Sequence, residues 1–195
     1  MKLVLATKNQ GKVIEFRRIL EELGATNLEV LGMDSFPEIG DIEETGNTFQ
    51  ENSLLKARTI SEITGLAALA DDSGICVDAL DGAPGIYSAR YSGNGDAANN
   101  QKLLAELREV SDEKRTAYFI CVAAFVRPDG FEKLAEGRFY GKILHEVRGS
   151  GGFGYDPLFQ PDGLSCSAAE LSAQQKDEIS HRGIALRAIA PYIIG

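Results

Sequence analysis

The sequence is poor in cysteine. Its 195 residues include only three, Cys76, Cys121 and Cys166, and no two of them form a Cys-x-x-Cys pair. An odd number of widely spaced cysteines favours neither a disulfide framework nor a zinc site. We therefore expect a protein of the reducing cytoplasm.

The chain also lacks an excess of positive charge, with 20 Lys and Arg residues against 29 Asp and Glu residues and a net charge of -9. Non-specific binding to DNA or RNA depends on basic surface that displaces counterions, so we expect no nucleic-acid partner. A small phosphorylated ligand remains compatible with this charge, because a divalent cation and a few lysines can reverse the field locally.

Long hydrophobic runs are absent as well. The longest apolar stretches, residues 66–70 and 121–126, fall far short of the roughly 20 residues needed to cross a bilayer. Lys8 interrupts the N-terminal apolar run before it reaches the length of a signal sequence. We expect a soluble protein with no membrane partner, and one long enough to bury a continuous core.

What the sequence does contain is an alternation of strand and helix patterns. Residues 2–6 favour a strand, and Val13, Phe16 and Ile19 then share one helical face. Thr48-x-x-Glu51 supplies a capping box for a helix at about 48–64. The other expected elements are strands at 28–31, 66–70, 75–80, 116–126 and 132–142, and helices at about 97–110, 168–171, 174–179 and 181–194.

This order of elements predicts an α/β fold around a twisted central sheet. The strands at 116–126 and 132–142 are split by a turn at 127–130, which favours a hairpin. We expect this hairpin to supply a smaller β-rich lobe at about 115–145, with a cleft beside the α/β body. No linker or repeat interrupts the chain, which predicts a single domain over residues 1–195.

A polar loop, residues 7–12, joins the first predicted strand to the first predicted helix. Backbone N–H groups at a helix start favour an anion, and Lys12 adds a full positive charge. The segment is not a P-loop, because Thr7 stands where the first glycine belongs and Val13 follows the lysine. Taken alone, the loop is equally compatible with an ordinary polar connection that carries a surface lysine.

Two acidic pairs are candidates for metal binding: Glu43-Glu44 ahead of a helix, and Asp71-Asp72 after an apolar strand. Mg²⁺ commonly takes one or two carboxylates together with phosphates and waters, and a rigidly held carboxylate can also orient a water. The alternatives are a solvated acidic loop at Glu43-Glu44 and a plain turn at Asp71-Asp72. Adjacent buried acids require nearby cations or hydrogen-bond donors.

A glycine-rich segment, residues 149–157, allows the backbone to approach a ligand closely. Phe153 or Tyr155 can offer a stacking face for a base, and Asp156 can accept hydrogen bonds. The alternative is a turn whose aromatic side chains fill the core.

A cationic group follows near a helix start, formed by Lys176, His181 and Arg182. These side chains can donate to phosphate or to a purine carbonyl. As isolated residues, the lysine and the arginine are more often surface charge, and a lone histidine is more often a packed or solvent-touching side chain.

Six segments in one order resemble the inosine triphosphate pyrophosphatase family, also called the Ham1-like family of non-canonical purine nucleoside triphosphate pyrophosphatases. The segments are residues 5–12, 43–52, 70–74, 82–91, 152–157 and 179–183. The resemblance spans nearly the whole chain and departs at Lys8, where many members carry a smaller residue. It implies an elongated mixed-sheet α/β fold with two lobes flanking a central active-site cleft.

The resemblance also implies an activity. Members hydrolyse ITP, dITP and XTP to the monophosphate and pyrophosphate, use Mg²⁺, and usually work as homodimers. For this chain it implies that Asp72 accepts the proton and ligates the metal, with Glu43 as the second metal ligand. Asp71 and Glu44 are the alternatives within the two acidic pairs.

Lys56 is expected to reach the triphosphate and is grouped with Asp72 as catalytic. The remaining substrate contacts implied by the resemblance are Thr7, Lys8, Asn9, Gln10, Gly11, Lys12, Ser73, Phe153, Gly154, Tyr155, Asp156, Lys176, His181 and Arg182.

Base selection is expected at the 6-position of the purine. A donor such as Arg182 pairs with the 6-carbonyl of hypoxanthine or xanthine and faces another donor in adenine. Exclusion of GTP needs a second device that acts on its 2-amino group. Two alternative functions remain: a related nucleotide pyrophosphatase with another base preference, and a non-catalytic purine nucleotide-binding protein.

Overall fold

A computed structural model describes residues 1–25 and 27–194 of the chain. Strands and helices alternate as the sequence predicts, and short 3-10 turns join several of them. The elements are β1 (Lys2–Leu5), α1 (Gln10–Glu22), β2 (Glu29–Leu31), α2 (Phe49–Thr64), β3 (Ala67–Val77), α3 (Asp96–Glu106), β4 (Thr116–Val126), β5 (Glu132–Ile143), β6 (Phe159–Pro161), α4 (Ala173–Ile179) and α5 (His181–Ile194).

The strands form one six-stranded sheet in the order β2-β1-β3-β4-β5-β6. β1 pairs in parallel with both β2 and β3, whereas β5 and β6 are antiparallel. The prediction of a mixed-sheet α/β fold is therefore confirmed. In the described ranges, no helix is long and apolar enough to span a membrane.

Strand β3 corrects the sequence prediction of two separate strands at 66–70 and 75–80. It runs without interruption from Ala67 to Val77, so Asp71 and Asp72 lie within the strand and not after its end. Both acids are buried. Adjacent acids suggest a turn when only local sequence is considered, but cationic partners from other elements allow them to stay in an extended, buried backbone.

Helix α2 begins where the capping pattern places it. The Thr48 hydroxyl oxygen accepts a hydrogen bond from the Glu51 N–H at 3.1 Å. The reciprocal bond is shifted by one residue, because the Glu51 carboxylate accepts from the Asn47 N–H at 2.6 Å. The helix ends at Thr64 and is capped by Gly65, whose φ of 65° is the left-handed conformation that glycine adopts most readily at a helix C-terminus.

The chain divides into two compact units. The first contains the residues up to Asp72, Cys121–Gly137 and the residues from Arg182 onward, and the second contains Ser73–Ile120 and Arg138–His181. The turn end of the β4–β5 hairpin belongs to the first unit and its other end to the second. The single domain over residues 1–195, with a hairpin-rich lobe at about 115–145, stays a prediction.

In the first unit, side chains alternate along β1 and β3 into two apolar clusters. Leu3, Leu5 and Leu69 pack with side chains of α1 and α5. Val4, Ala68 and Ala70 pack with side chains of α2. Other elements cover both faces of these strands. Polar residues further along β3 are therefore buried as well, and they need partners from those other elements.

The second unit has its own apolar cluster. Side chains of β3, α3, β4 and β5 meet there with residues from the glycine-rich segment and β6. β6 escaped sequence prediction, since it has only three residues and ends at Pro161.

Candidate active site

The polar loop leaves the sheet where β1 ends. Leu5 pairs with Leu69, so the loop begins beside the part of β3 that carries Asp71 and Asp72. The Asn9 side-chain oxygen accepts from the Lys12 N–H at 3.1 Å and caps α1. The helix N-terminus thus has the geometry that favours an anion.

The other loop residues take different positions. The Thr7 hydroxyl oxygen accepts from the Asn9 N–H at 3.2 Å, and Gln10 and Gly11 open the helix. Lys8 is exposed and donates to Asp41 at 2.7 Å. Lys8 is therefore engaged at the surface, and its expected substrate contact stays a prediction.

Asp71 is the buried centre of an ionic network in the first unit. It is 1% exposed, its Oδ2 lies 2.9 Å from Lys12 Nζ and 3.7 Å from Arg182 Nε, and Arg182 also pairs with Glu15. Burial opposes the charge of Arg182, but Glu15 and Asp71 outweigh it and raise the pKa of the guanidinium. Arg182 therefore keeps its charge beside Asp71 and Glu15, and the ion pair with Asp71 holds Lys12 next to β3.

Asp72 points to a different set of partners. It is 5% exposed, and its Oδ2 accepts a hydrogen bond from Asn52 Nδ2 at 3.0 Å. Burial raises the pKa of the Asp72 carboxyl, the charge of Lys56 opposes that shift, and Glu44 adds to it. A carboxylate with increased proton affinity is suited to take a proton from water.

Lys56 lies near the two acids of β3 and Glu44. Its Nζ is 2.5 Å from Glu44 Oε1. Burial lowers the pKa of Lys56, but the charges of Asp71, Asp72 and Glu44 together raise it above the ordinary value. Lys56 is thus a charged ammonium held by α2, as a phosphate-binding lysine requires.

The structure distinguishes the two acids of the Glu43-Glu44 pair. Glu43 is exposed, whereas Glu44 is half-buried and contacts Lys56. Glu44 also raises the pKa of Asp72, so the two carboxylates are close enough to disfavour each other's charge. The family resemblance implies Glu43 as the second metal ligand, but Glu44 is the acid that contacts Lys56 and acts on the charge of Asp72.

These oxygen donors fit a magnesium ion. Among the residues that the structure describes, no three His, Cys, Asp or Glu side chains form a ready-made metal cluster. Mg²⁺ does not require one, because it usually takes one or two carboxylates and completes its shell with phosphates and waters. Two mutually repelling carboxylates, those of Glu44 and Asp72, match that requirement.

Asn52 also belongs to this cluster, although no sequence motif marks it as a site residue. It is fully buried, its Oδ1 accepts from the Gly46 N–H at 2.8 Å, and its Nδ2 donates to Asp72. One amide therefore joins the loop that carries Glu44 to the carboxylate of Asp72. Asn52 stands four residues before Lys56, a spacing that places both side chains on one face of α2. This spacing is the sequence signal that could have identified Asn52.

We expect Asn52→Leu to lower kcat about 10- to 100-fold, as loss of a supporting hydrogen bond around a metal site does. Steady-state turnover of ITP, the substrate that the family resemblance implies, measures the effect. The matched control is Asn99→Leu, which removes an equally buried amide of the second unit. A kcat that is the same for Asn52→Leu and Asn99→Leu contradicts the role of Asn52.

In the second unit, Asp156 organises the glycine-rich segment. It is 2% exposed and accepts from Lys176 Nζ at 2.6 Å and from the Phe153 N–H at 2.9 Å. Lys176 Nζ also lies 5.1 Å from the centre of the Phe153 ring. Gly152 has a φ of 67°, and any side chain there would overlap the Asp156 carboxylate. The segment is therefore tightly packed around Asp156.

The two aromatic candidates of this segment differ. Tyr155 is buried in the apolar cluster, and its hydroxyl donates to the Ser88 carbonyl at 2.8 Å. The Tyr155 ring therefore fills the core, and its expected contact with the substrate stays a prediction. Phe153 is only half-buried. Gly154 anchors the segment, since its N–H donates to Asp96 at 2.8 Å and its carbonyl accepts from Asn100 at 3.0 Å.

The predicted cationic group separates into three environments. Lys176 is paired with Asp156, and Arg182 belongs to the network with Glu15 and Asp71. His181 opens α5 and stacks on Phe119 of β4. The expected contact of Arg182 with a purine carbonyl stays a prediction, as do the ligand contacts of His181 and the half-buried Ser73.

The chain is similar to known proteins along nearly its whole length. The chain is 50% identical over 194 residues to the dITP/XTP pyrophosphatase of Streptomyces coelicolor, covering 98% of this chain and 96% of that protein. The structure of a HAM1 protein from Coxiella burnetii is 40% identical and matches with a TM-score of 0.88, covering 99% of this chain and 98% of that one.

A crystal structure of the nucleoside-triphosphatase / dITP/XTP pyrophosphatase from Mycobacterium abscessus is 46% identical, with a TM-score of 0.78 and coverage of 98% of this chain and 100% of that one. The model of the Ham1 family matches residues 3–192. Sequence and fold agree over nearly the full length, and the chain belongs to the Ham1 family.

Proposed function

We propose that this protein hydrolyses the non-canonical purine nucleoside triphosphates ITP, dITP and XTP to the monophosphate and pyrophosphate, and so removes them from the nucleotide pool. The observation that carries the proposal is the buried Asp72, whose pKa is raised by burial and which shares its surroundings with Lys56 and Glu44. The dITP/XTP pyrophosphatase names of relatives about 50% identical support the substrate class.

The residues of the first unit have complementary roles in this reaction. Asp72 takes a proton from the water that attacks the α-phosphorus, and Asn52 holds the carboxylate in place. Lys12, Lys56 and the N-terminus of α1 neutralise the phosphates and the leaving pyrophosphate. Glu44 and Asp72 would hold Mg²⁺, which supplies further neutralisation of phosphate charge.

The residues in and around the glycine-rich segment are assigned to the base. Phe153 offers a partly exposed ring, and Lys176 lies beside it. Asp156 pairs with Lys176 and so keeps the two side chains together. His181 presents an imidazole that can donate to a purine carbonyl. Contacts of this kind favour a 6-carbonyl over a 6-amino group, because the amino group leaves a buried donor without an acceptor.

Separate substitution of Glu43 and Glu44 tests directly which of the two acids ligates the metal. We expect Glu44→Gln to raise the Mg²⁺ concentration needed for half-maximal turnover about 10- to 100-fold, since one of two carboxylate ligands is lost. The same substitution at the exposed Glu43 should leave that concentration unchanged. Turnover of each variant is measured at increasing Mg²⁺ concentrations. A larger increase in the required Mg²⁺ for the Glu43 variant than for the Glu44 variant would assign the metal ligand to Glu43.

The proposed activity is tested by pyrophosphate release from ITP, XTP, GTP, ATP and dUTP, each with and without Mg²⁺. We expect Mg²⁺-dependent release from ITP and XTP and far less from the other three. Preference for dUTP would support a pyrophosphatase of different base preference. Nucleotide binding without release would support a non-catalytic nucleotide-binding protein.

We also propose a homodimer in the cytoplasm. The family resemblance supports the dimer, and light scattering tests it: a monomer mass at micromolar concentration contradicts the dimer. Cys76, Cys121 and Cys166 form no disulfide, as expected for a reducing compartment.

A further inference from the structure

Four aromatic rings of the second unit form a continuous row that ends at His181. The ring centres of Phe139 and Phe159 are 5.1 Å apart, and those of Phe159 and Phe119 are 4.8 Å apart in an edge-to-face contact. Phe119 and His181 follow with centres 4.9 Å apart and an angle of only 11° between their planes. We call these four residues the aromatic row.

The contact at the end of the row differs from the others in geometry. Phe119 and His181 are nearly parallel, whereas Phe159 meets Phe119 at 63° and Phe139 at 52°. A parallel contact restricts rotation of the imidazole out of its plane, because turning the ring would drive its edge into the face of Phe119. Phe159 in turn restrains Phe119 from the side.

Burial makes this restraint effective. Phe119 is 8% exposed and His181 is 4% exposed, so little water competes for either ring. His181 is also the first residue of α5, so the start of that helix fixes the backbone from which the imidazole projects. The helix start and the Phe119 face together define the position and plane of the imidazole.

We propose that Phe119 is a positioning residue for base recognition: by fixing the plane of the His181 imidazole, it sets the direction in which that ring donates to the purine. This inference rests on the proposed function, which assigns His181 to the base. Phe119 acts through His181 and contacts no reacting atom. Loss of a stacked aromatic contact is expected to weaken nucleotide binding about two- to tenfold.

Proton NMR of the imidazoles tests the stacking independently of activity. The chain has two histidines, His145 and His181, and the exposed His145 provides an internal reference. The ring current of Phe119 should move the His181 ring protons upfield of those of His145, with assignment by a His145→Asn variant. Phe119→Leu should abolish this upfield shift and leave the His145 signals unchanged.

The matched control is Phe139→Leu. Phe139 is 5% exposed, belongs to the same cluster and also packs on Phe159, so its loss creates a similar cavity that two intervening rings separate from His181. We expect Phe119→Leu to raise KM for ITP about two- to tenfold while kcat changes by less than about twofold. Phe139→Leu should leave both the His181 shift and KM at their wild-type values.

Two results would overturn the inference. An unshifted His181 in the wild-type protein refutes the stacking, even if Phe119→Leu does not fold. Equal KM values for Phe119→Leu and Phe139→Leu refute the role in base recognition. Absence of pyrophosphate release from ITP and XTP by the wild type would instead refute the proposed function, and the NMR comparison would still decide whether Phe119 orients His181.

Discussion

Asp72→Asn is expected to lower kcat for pyrophosphate release from ITP about 10²- to 10⁴-fold, because an amide cannot accept the proton of the attacking water. The substitution keeps the size of the side chain, and β3 continues to be held by its neighbours in the sheet. Turnover at saturating ITP and Mg²⁺ measures the loss. The circular dichroism spectrum should stay that of the wild type.

Asp78→Asn is the matched control for this experiment. Asp78 directly follows β3, is exposed, and accepts a hydrogen bond from the Thr116 hydroxyl at 2.6 Å. The same chemical change there should leave kcat near the wild-type value. Full activity of Asp72→Asn would show that another group takes the proton.

Arg182→Met is expected to lower the free energy of unfolding by about 3–5 kcal/mol, because the carboxylates of Glu15 and Asp71 lose the cation that compensates their burial. Arg182 is 2% exposed, and the three side chains form part of one ionic network. Urea denaturation at neutral pH measures the change. The urea midpoint should fall, while the slope with urea stays constant.

The exposed Arg58 provides the comparison. It forms a hydrogen-bonded pair with Glu132, at 2.6 Å from Nε to Oε1, with over half of its side chain in contact with solvent. Arg58→Met should therefore cost no more than about 1 kcal/mol. If Arg182→Met costs as little as Arg58→Met, the buried network does not stabilise the first unit.

Most of the fold follows from local sequence signals. The polar loop at residues 7–12, the Thr48 cap of α2 and the paired strands β4 and β5 each depend on residues within a few positions of one another. Their boundaries in the structure agree with the predicted ones to within a few residues. Local patterns succeed there because capping, turn formation and alternation are themselves short-range interactions.

The parts that sequence reasoning missed depend on residues distant in the chain. Glu15 pairs with Arg182 across 167 positions, and Asn52 reaches Asp72 across 20 positions. Local sequence predicts two strands in place of β3, because two adjacent acids are unfavourable in a buried strand unless cations compensate them. In the structure, Lys12 and Lys56 are those cations. No local pattern contains those compensating charges.

The glycine-rich segment shows the same limit for aromatic residues. Phe153 and Tyr155 stand two positions apart with the same local surroundings, yet only Tyr155 enters the apolar cluster and donates to Ser88. Local sequence identifies two aromatic candidates and leaves open which one fills the core. Packing of α3, β4 and β5 around Tyr155 makes that choice.

Hydrolysis of ITP in oxygen-18-enriched water, followed by phosphorus NMR, tests the central claim most directly. The attack on the α-phosphorus that we assign to Asp72 predicts that the label enters inosine monophosphate, that pyrophosphate stays unlabelled, and that Asp72→Asn suppresses both products. Label in pyrophosphate, or release of inorganic phosphate with inosine diphosphate, would contradict the proposed reaction.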